Sequence, residues 1–535
     1  MKYPARLPAL LFAFFISSQF IFCQNQTAPS KEMRGVWIAS VANIDWPSKP
    51  GLEPEVQRAE FDSLLDVLQH MGMNAVFVQV RPAGDALYPT KFAPWSRYLT
   101  GKQGLGPEPY YDPLDYMVTA AHMRRMEFHA WFNPFRATTD LDTLKLAPNH
   151  LMKLRSDWAF KYGNKYFFNP GIPSVRYNLV DMIGDVVTRY DIDGVHFDDY
   201  FYPYPEKDQT LNDYKTFQEF GQADFKSIED WRRNNVDEFV RLTAEKIRSI
   251  KPYVKFGISP FGVWRNADRD PNGSATRAGI QTYDDLYADV LHWLDKGWID
   301  YAAPQIYWSI GFPAADYEKL VDWWGKHTYG KNIYIGHAAY KIGDPNITKN
   351  DVNWGRRDEI SRQVWMNRGN PNIEGSIFFS AKAVMRNPLG VADSLTYSLF
   401  ERKALVPGFA FKSNPPAPPK ICRAKGSPSS IKVAWQVCSS APEDQPYYFA
   451  VYRFVGAEVG SFTDPANLLS ITNFNPEKWW IEDQAVQAGE YYTYVVTAFN
   501  RNNVESFSSE PIVLKKTKRG AKRIGGTWFS KILKK

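Results

Sequence analysis

Eight short apolar stretches, each followed by a longer segment of helical periodicity, limit what this chain can fold into. They are "MRGVWIAS", "NAVFVQVRP", "FHAWFNPF", "GVHFDDY", "KFGISPFG", "YAAPQIYW", "NIYIGHAAY" and "GSIFFSAK". Between them, "RAEFDSLLDVLQHM", "DPLDYMVTAAHMRRM", "SVRYNLVDMIGDVVTRY" and "YDDLYADVLHWLDKG" repeat apolar residues at i, i+3, i+4 and i+7. Strand and helix alternating eight times is the count of a closed (β/α)8 barrel, whereas an open doubly wound sheet rarely needs so many regular units.

The period of two within each strand assigns its faces. Val195 and Phe197 of "GVHFDDY" point outward to the helices, and His196 and Asp198 point into the barrel. By the same rule Val76, Val78 and Val80 face outward while Gln79 and Arg81 face inward. Phe128, Ala130 and Phe132 face outward, and His129, Trp131 and Asn133 inward. The C-terminal ends of barrel strands carry the active sites of this fold, so Asp198 is aimed at one. Asp199, as its neighbour, shares that aim only if the strand breaks at Phe197.

At 535 residues the chain exceeds one ordinary domain. The barrel is expected over 24–404, followed by a proline-rich linker over 405–415, "VPGFAFKSNPP" and its surroundings. Residues 416–515 then carry short alternating strands such as "SIKVAWQ", "YYFAVYRF", "WWIED", "YYTYVVTAF" and "PIVLK", which indicate a small all-β sandwich of immunoglobulin or fibronectin type III shape. The net charge of +6 comes from the C-terminus: residues 515–535 hold nine Lys and Arg and no acid, leaving 55 bases against 58 acids elsewhere. No nucleic-acid surface is therefore expected on the body, and 516–535 reads as a basic, solvated tail. Residues 1–23 place basic residues before a short apolar run, the layout of a signal peptide, so an exported protein of the periplasm or envelope is expected. Cys23 ends that segment and is a candidate lipid anchor, and no stretch reaches the length of a membrane span. A bridge between Cys422 and Cys438 would need an irregular strand register and is not expected.

Strand-end carboxylates are costly to bury unless paired or used. Glycosidic cleavage uses two carboxyl groups, one to protonate the leaving oxygen and one as nucleophile or base. Asp198 is read as the nucleophile or base, and Asp199 or Asp85 as the acid, with its pKa raised by burial and by the neighbouring charge. Asp45 is a further candidate, while Glu374 precedes strand eight and belongs to the opposite face. Other strand ends supply Arg81, Asn133, Arg136, His196, Tyr200, Ser259, Trp264, Gln305, Tyr307, Trp308 and His337, a set suited to sugar hydroxyls, acetamides and pyranose faces. No cofactor is called for. Two alternatives stand beside the hydrolase. One is a non-catalytic glycan-binding or division-scaffold protein, favoured by the lack of a rim glutamate. The other is a metal-dependent hydrolase built on Asp198, Asp199 and His196, although no metal-binding motif accompanies them.

At "MRGVWIASVANIDWP", "VFVQVRPAGDALYP", "YDPLDYMVTAAHMR", "AWFNPFR", "NPGIPSVR", "DGVHFDDYFYP" and "PQIYW" the chain resembles the glycosyl-hydrolase-like barrel family of bacterial envelope proteins. The resemblance spans roughly residues 31–400 and implies a (β/α)8 barrel acting on an envelope glycan, with denuded peptidoglycan as the expected substrate. More distantly, "DGVHFDD" is similar to the strand-four motif of amylase-type barrels, whose nucleophile falls at Asp198. It is also similar to the chitinase motif, where Tyr200 stands in place of the catalytic glutamate and His196 in place of an aspartate.

Overall fold

The computed structural model describes residues 28–437, 446–473 and 479–524. The expected signal peptide over 1–23, Cys23 and Cys438 lie outside the described residues. Cys422 carries an exposed thiol.

Parallel strands β1 (Met33–Ile38), β2 (Ala75–Arg81), β3 (Glu127–Phe132), β4 (Gly194–Phe197), β5 (Lys255–Ile258) and β6 (Tyr301–Ala302) follow one another around a barrel. The run β7 is interrupted at Tyr334. Its first part, Asn332–Ile333, pairs with β6, and its second part, Ile335–His337, pairs with β8 (Gly375–Phe379). Because β8 also pairs with β1, the sheet closes. The outward residues read from the pattern, Val195 and Phe197 among them, are fully buried in the layer between sheet and helices.

The helices begin where the sequence supplies caps. In α1 (Pro54–His70), α2 (Pro113–Met123) and α3 (Pro173–Arg189) a proline opens the first turn, where its missing N–H costs nothing. Asp112 also accepts the N–H groups of Leu114 and Asp115, and Ser227 accepts that of Asp230 to open α4 (Ile228–Ile250). "YDDLYADVLHWLDKG", expected as one helix, forms two. Thr282–Asp285 stops near Tyr287, whose φ is +55°, and Asp289 caps a second helix, Val290–Asp295, by accepting from His292 N–H.

Inside the barrel the inward residues form a polar column. Trp37 Nε1–H can only donate, so His196 Nε2 accepts it at 3.1 Å, and the neutral ring carries its proton on Nδ1. That nitrogen lies 3.1 Å from the Tyr301 hydroxyl, which in turn lies 2.9 Å from His129 Nδ1. His129 Nε2 reaches Glu127 at 2.9 Å, and Glu127 also accepts from Lys255 at 2.5 Å. Burial alone would raise the Glu127 pKa, but Lys255 and His129 overcome it and hold the carboxyl below its usual range.

The C-terminal part is an antiparallel sheet of eight strands. These are β9 (Lys420–Gly426), β10 (Ile431–Gln436), β11 (Tyr448–Val455), β12 (Leu468–Asn473), β13 (Trp480–Asp483), β14 (Tyr491–Phe499), β15 (Ile512–Thr517) and β16 (Gly520–Arg523), in spatial order β12-β11-β14-β15-β16-β9-β10-β13. The sheet folds over on itself, so that Trp435 of β10 packs edge-on to Phe449 of β11 at 5.6 Å, and Ile431 and Val433 share a core with Tyr494 and Leu514. Two expected boundaries move. The sandwich runs on to Arg523, with Lys516 buried and its ammonium donating to Pro428 O at 2.9 Å, so 516–523 belongs to the β15–β16 hairpin rather than to a solvated tail. The 405–415 segment is no loose tether, because Leu405 pairs with the backbone of Ser30 and Glu32, and Val406 and Phe409 are buried against the barrel.

The sandwich is docked at the N-terminal ends of the barrel strands. Asn503 Nδ2 donates to Glu127 at 2.7 Å, and Arg501 pairs with Asp191 at 2.6 Å. Lys412 in the connecting segment pairs with Asp300 at 2.7 Å. The opposite, C-terminal end stays open. Among the described residues no helix is long and apolar enough to cross a membrane.

Candidate active site

A cleft of about 470 Å³ lies at the C-terminal ends of the strands. That volume suits a small-molecule or sugar subsite. Asp198 and Asp199 both line it, and no other carboxylate does among the described residues. The strand ends at Phe197, the condition under which both could turn inward. The cause is local: the Asp198 carboxylate accepts Tyr200 N–H at 3.2 Å, replacing a ladder bond with a turn. Phe201 and Tyr202 then anchor the loop, packing against Trp293 at 5.3 Å and Tyr287 at 5.2 Å.

Each acid has its own donors. Asn133 Nδ2 donates to Asp198, and Gln79 Nε2 fixes the Asn133 amide by donating to its oxygen at 2.6 Å. Asp199 accepts from the Tyr204 hydroxyl and from Gln305. Burial, followed by the charge of Asp199, pushes the Asp198 carboxyl up to about 7, against the pull of Arg136 and Asn133. Burial also raises Asp199, while Tyr204 and Gln305 oppose the rise. The charge of Asp199 is one of the causes of the Asp198 rise, so the two carboxyls titrate as a linked pair.

Aromatic rings form the walls. Trp37, Trp131 and Phe379 lie towards the floor, and Tyr200, Tyr204, Phe261, Tyr307, Trp308 and Tyr340 line the rest. Trp308 meets Phe261 edge-on at 5.2 Å. Such faces accept the C–H surface of a pyranose.

Of the residues expected at the site, Asp198, Asp199, Arg136, Tyr200, Ser259, Gln305, Tyr307 and Trp308 line the cleft, and Asn133 supports it from beneath. Six others do not come to it. Asp85 is buried in the loop after β2, accepting from Gln103 at 3.2 Å. Arg81 follows a register shift in β2 and donates to the carbonyls of Asn133 and Pro134 at 2.8 and 3.0 Å, so it braces the Asn133 loop. His196 lies under the floor in the polar column, with burial and the nearby His129 holding its pKa well below normal, and it is not available to a metal. Trp264 belongs to the helix layer, stacked on Trp323 at 6.2 Å. His337 is satisfied in the core by Gln363 and Ser376, both at 3.0 Å. Asp45 is likewise structural, accepting Ala39 N–H and the Ser380 hydroxyl at 2.8 and 2.7 Å. Among the described residues no group of three His, Cys, Asp or Glu side chains is placed to hold a metal ion.

Sequence reasoning passed over Tyr204, Phe261, Tyr340 and Lys341, all cleft residues. The first stood in the aromatic run after Asp199, and the last two directly follow "GHAA" at the end of β7.

A closed barrel with an acid pair at the end of β4 and aromatic walls is the build of a glycosidase-type protein. The family profile described as glycosyl hydrolase-like 10 matches residues 32–356, and the chain belongs to that family. It is 44% identical over 514 residues to "Glycosyl hydrolase YngK" of Bacillus subtilis (strain 168), covering 94% of this chain and 97% of that one. "Glycosyl hydrolase DigH" of Escherichia coli (strain K12) is 42% identical over 372 residues, covering 65% of this chain and 83% of the relative. Among solved structures, the PgaB (BpsB) glycoside hydrolase domain from Bordetella bronchiseptica aligns with a TM-score of 0.45 at 14% identity, over 68% of this chain and 98% of that one.

Proposed function

We propose that the protein is an exported glycoside hydrolase that cleaves an N-acetylhexosamine-containing envelope glycan, with peptide-stripped peptidoglycan strands as substrate. The observation that carries this reading is the adjacent buried acids Asp198 and Asp199 in one aromatic cleft, the first with its carboxyl pushed up to about 7. Asp198, whose carboxyl is pushed up to about 7, is then the group that delivers a proton to the leaving oxygen, the reverse of the acid and base roles expected from the sequence. The ionised member stabilises the positive charge that develops at the anomeric carbon and activates the attacking group. The leader-like N-terminus and the named relatives support the envelope location and the reaction class. A recognition-only protein is the second reading, favoured because no carboxylate stands across the cleft from the pair among the described residues. Release of new reducing ends from amidase-stripped strands by the purified protein separates the two; binding without release supports the second.

The pair sets the pH dependence. An acid must hold its proton, so kcat falls as the pH rises through the raised Asp198 value, about 7. A base must have lost its proton, so kcat also falls at low pH, and the rate profile is a bell.

Tyr204→Phe removes the hydroxyl that favours the ionised form of Asp199. Its pKa then rises, and the acid limb moves up by roughly 1–2 pH units, the equivalent of a hydrogen bond to a charged group. The kcat–pH profile of the variant measures the shift, and an unmoved limb refutes the assignment.

A further inference from the structure

The cleft holds two cations that form no ion pair among the described residues, Arg136 and Lys341. Arg136 follows β3. It is 9% exposed, its Nη1 donates to Pro82 O at 3.2 Å, its guanidinium lies 4.5 Å from the centre of the Tyr200 ring, and its Nε is buried without a partner. Part of its charge is spent on the acid pair, since it lowers both carboxyls. Lys341 follows β7, half-buried, with its ammonium donating to the Tyr307 carbonyl at 2.6 Å. The Trp354 and Tyr340 ring centres lie 5.6 and 5.9 Å from the same ammonium, and the one carbonyl leaves two of its three donor positions open. Burial lowers its pKa, with Asp351, which does not line the cleft, opposing that effect.

An incompletely satisfied cation in a sugar-sized cleft is poised for an anion, because a buried charge is costly until it is paired. A neutral hexosamine polymer offers none. We infer that the cleft carries an anion subsite built on Lys341, which takes the carboxylate of an acidic sugar in a hexosamine glycan. The inference rests on the glycan reading above and deepens it, since it makes the free carboxylate a determinant of which strands are recognised. A lactyl ether carboxylate, exposed once peptide is removed from muramic acid, and a uronate carboxylate share this chemistry.

The test is binding, measured by calorimetry in the Asp198→Asn background so that no substrate is consumed. The probes are amidase-stripped peptidoglycan strands, the same strands with their carboxylates converted to methylamides, and hyaluronan oligosaccharides. Stripped strands are expected to bind at least tenfold more tightly than the amidated ones, and Lys341→Gln is expected to erase about tenfold of that preference. Lys341→Arg, which keeps the charge, should retain most of it. Lys341-dependent binding of hyaluronan in place of stripped strands assigns the carboxylate to a uronate; the reverse assigns it to the lactyl group. Equal binding of free and amidated strands, no binding of any probe, or a preference unchanged in Lys341→Gln overturns the inference. Preference for free carboxylates without cleavage by the wild type would sink the hydrolase reading alone, and cleavage indifferent to amidation would sink the subsite alone.

Discussion

Asp198→Asn is expected to lower kcat/KM on stripped glycan strands on the order of a thousandfold, within the range contributed by general acid–base groups. Asparagine keeps the shape and its Oδ1 can still accept the Tyr200 N–H, while its amide nitrogen faces the Asn133 Nδ2 that Gln79 holds in place, so one hydrogen bond is lost and the fold is expected to survive. It cannot hold or give up a proton near neutrality, and the acid pair loses the unit that makes the rate profile a bell. The group whose carboxyl is pushed up to about 7 is gone from this variant, so the residual activity should lose its limb near 7. Single-turnover assays with circular dichroism on the same samples separate lost chemistry from lost structure. A variant within tenfold of wild type would show that Asp198 does not act at the reacting bond. Asp85→Asn, by contrast, should leave the bell in place, because that carboxyl lies outside the cleft.

The second large effect is on stability. Glu127 sits at the foot of the polar column, gripping Lys255 at 2.5 Å, His129 at 2.9 Å and Asn503 of the sandwich at 2.7 Å. Lys255 has no exposed surface. Glu127→Ala leaves that ammonium buried without its carboxylate, and removing one partner of a buried pair costs about 3–5 kcal/mol. Lys255→Met added to Glu127→Leu removes both charges and should recover much of the loss, since an apolar pair replaces an ionic one at little net cost. Urea unfolding followed by tryptophan fluorescence measures both changes. A loss below about 1 kcal/mol for Glu127→Ala would mean that water or rearrangement relieves Lys255, and that the column is not a tight strut between barrel and sandwich.

The barrel was legible because its signals are periodic. A two-residue repeat fixes which side of β2, β3 and β4 meets the helices, and packing enforces it: Val78, Ala130 and Val195 all lie in the helix layer. The same repeat correctly turned Trp131 and His196 inward. What it could not give is height along the barrel axis. His196 and Asp198 share a face, yet the two-residue rise puts one beneath the floor and the other in the cleft. His337 fails for a different reason: it shares the parity of Ile333 and Ile335, which lie in the helix layer, and it bonds Gln363 and Asn367 of the outer helix Glu359–Gly369.

Trp264 and Asp85 misled differently, because both sit in loops after strands, where side-chain direction follows turn geometry instead of periodicity. Trp264 is turned outward to Asp289 at 3.2 Å, and Asp85 towards Gln103. Lys341 was missed because a lone lysine after a strand looks like any solvated residue until the fold shows its neighbours. In the sandwich, β9 and β16 escaped notice for want of an apolar alternation. Their residues "KICRAKG" and "GAKR" are strands by pairing, with Gly426 of one opposite Ala521 of the other.

The most direct test of the account is mass spectrometry of amidase-stripped peptidoglycan strands incubated with the purified protein in heavy-oxygen water. The account predicts shorter strands, each carrying one heavy oxygen at its new reducing end, from the wild type and not from Asp198→Asn. Intact strands that remain bound, or shortened strands with no heavy oxygen, would contradict it.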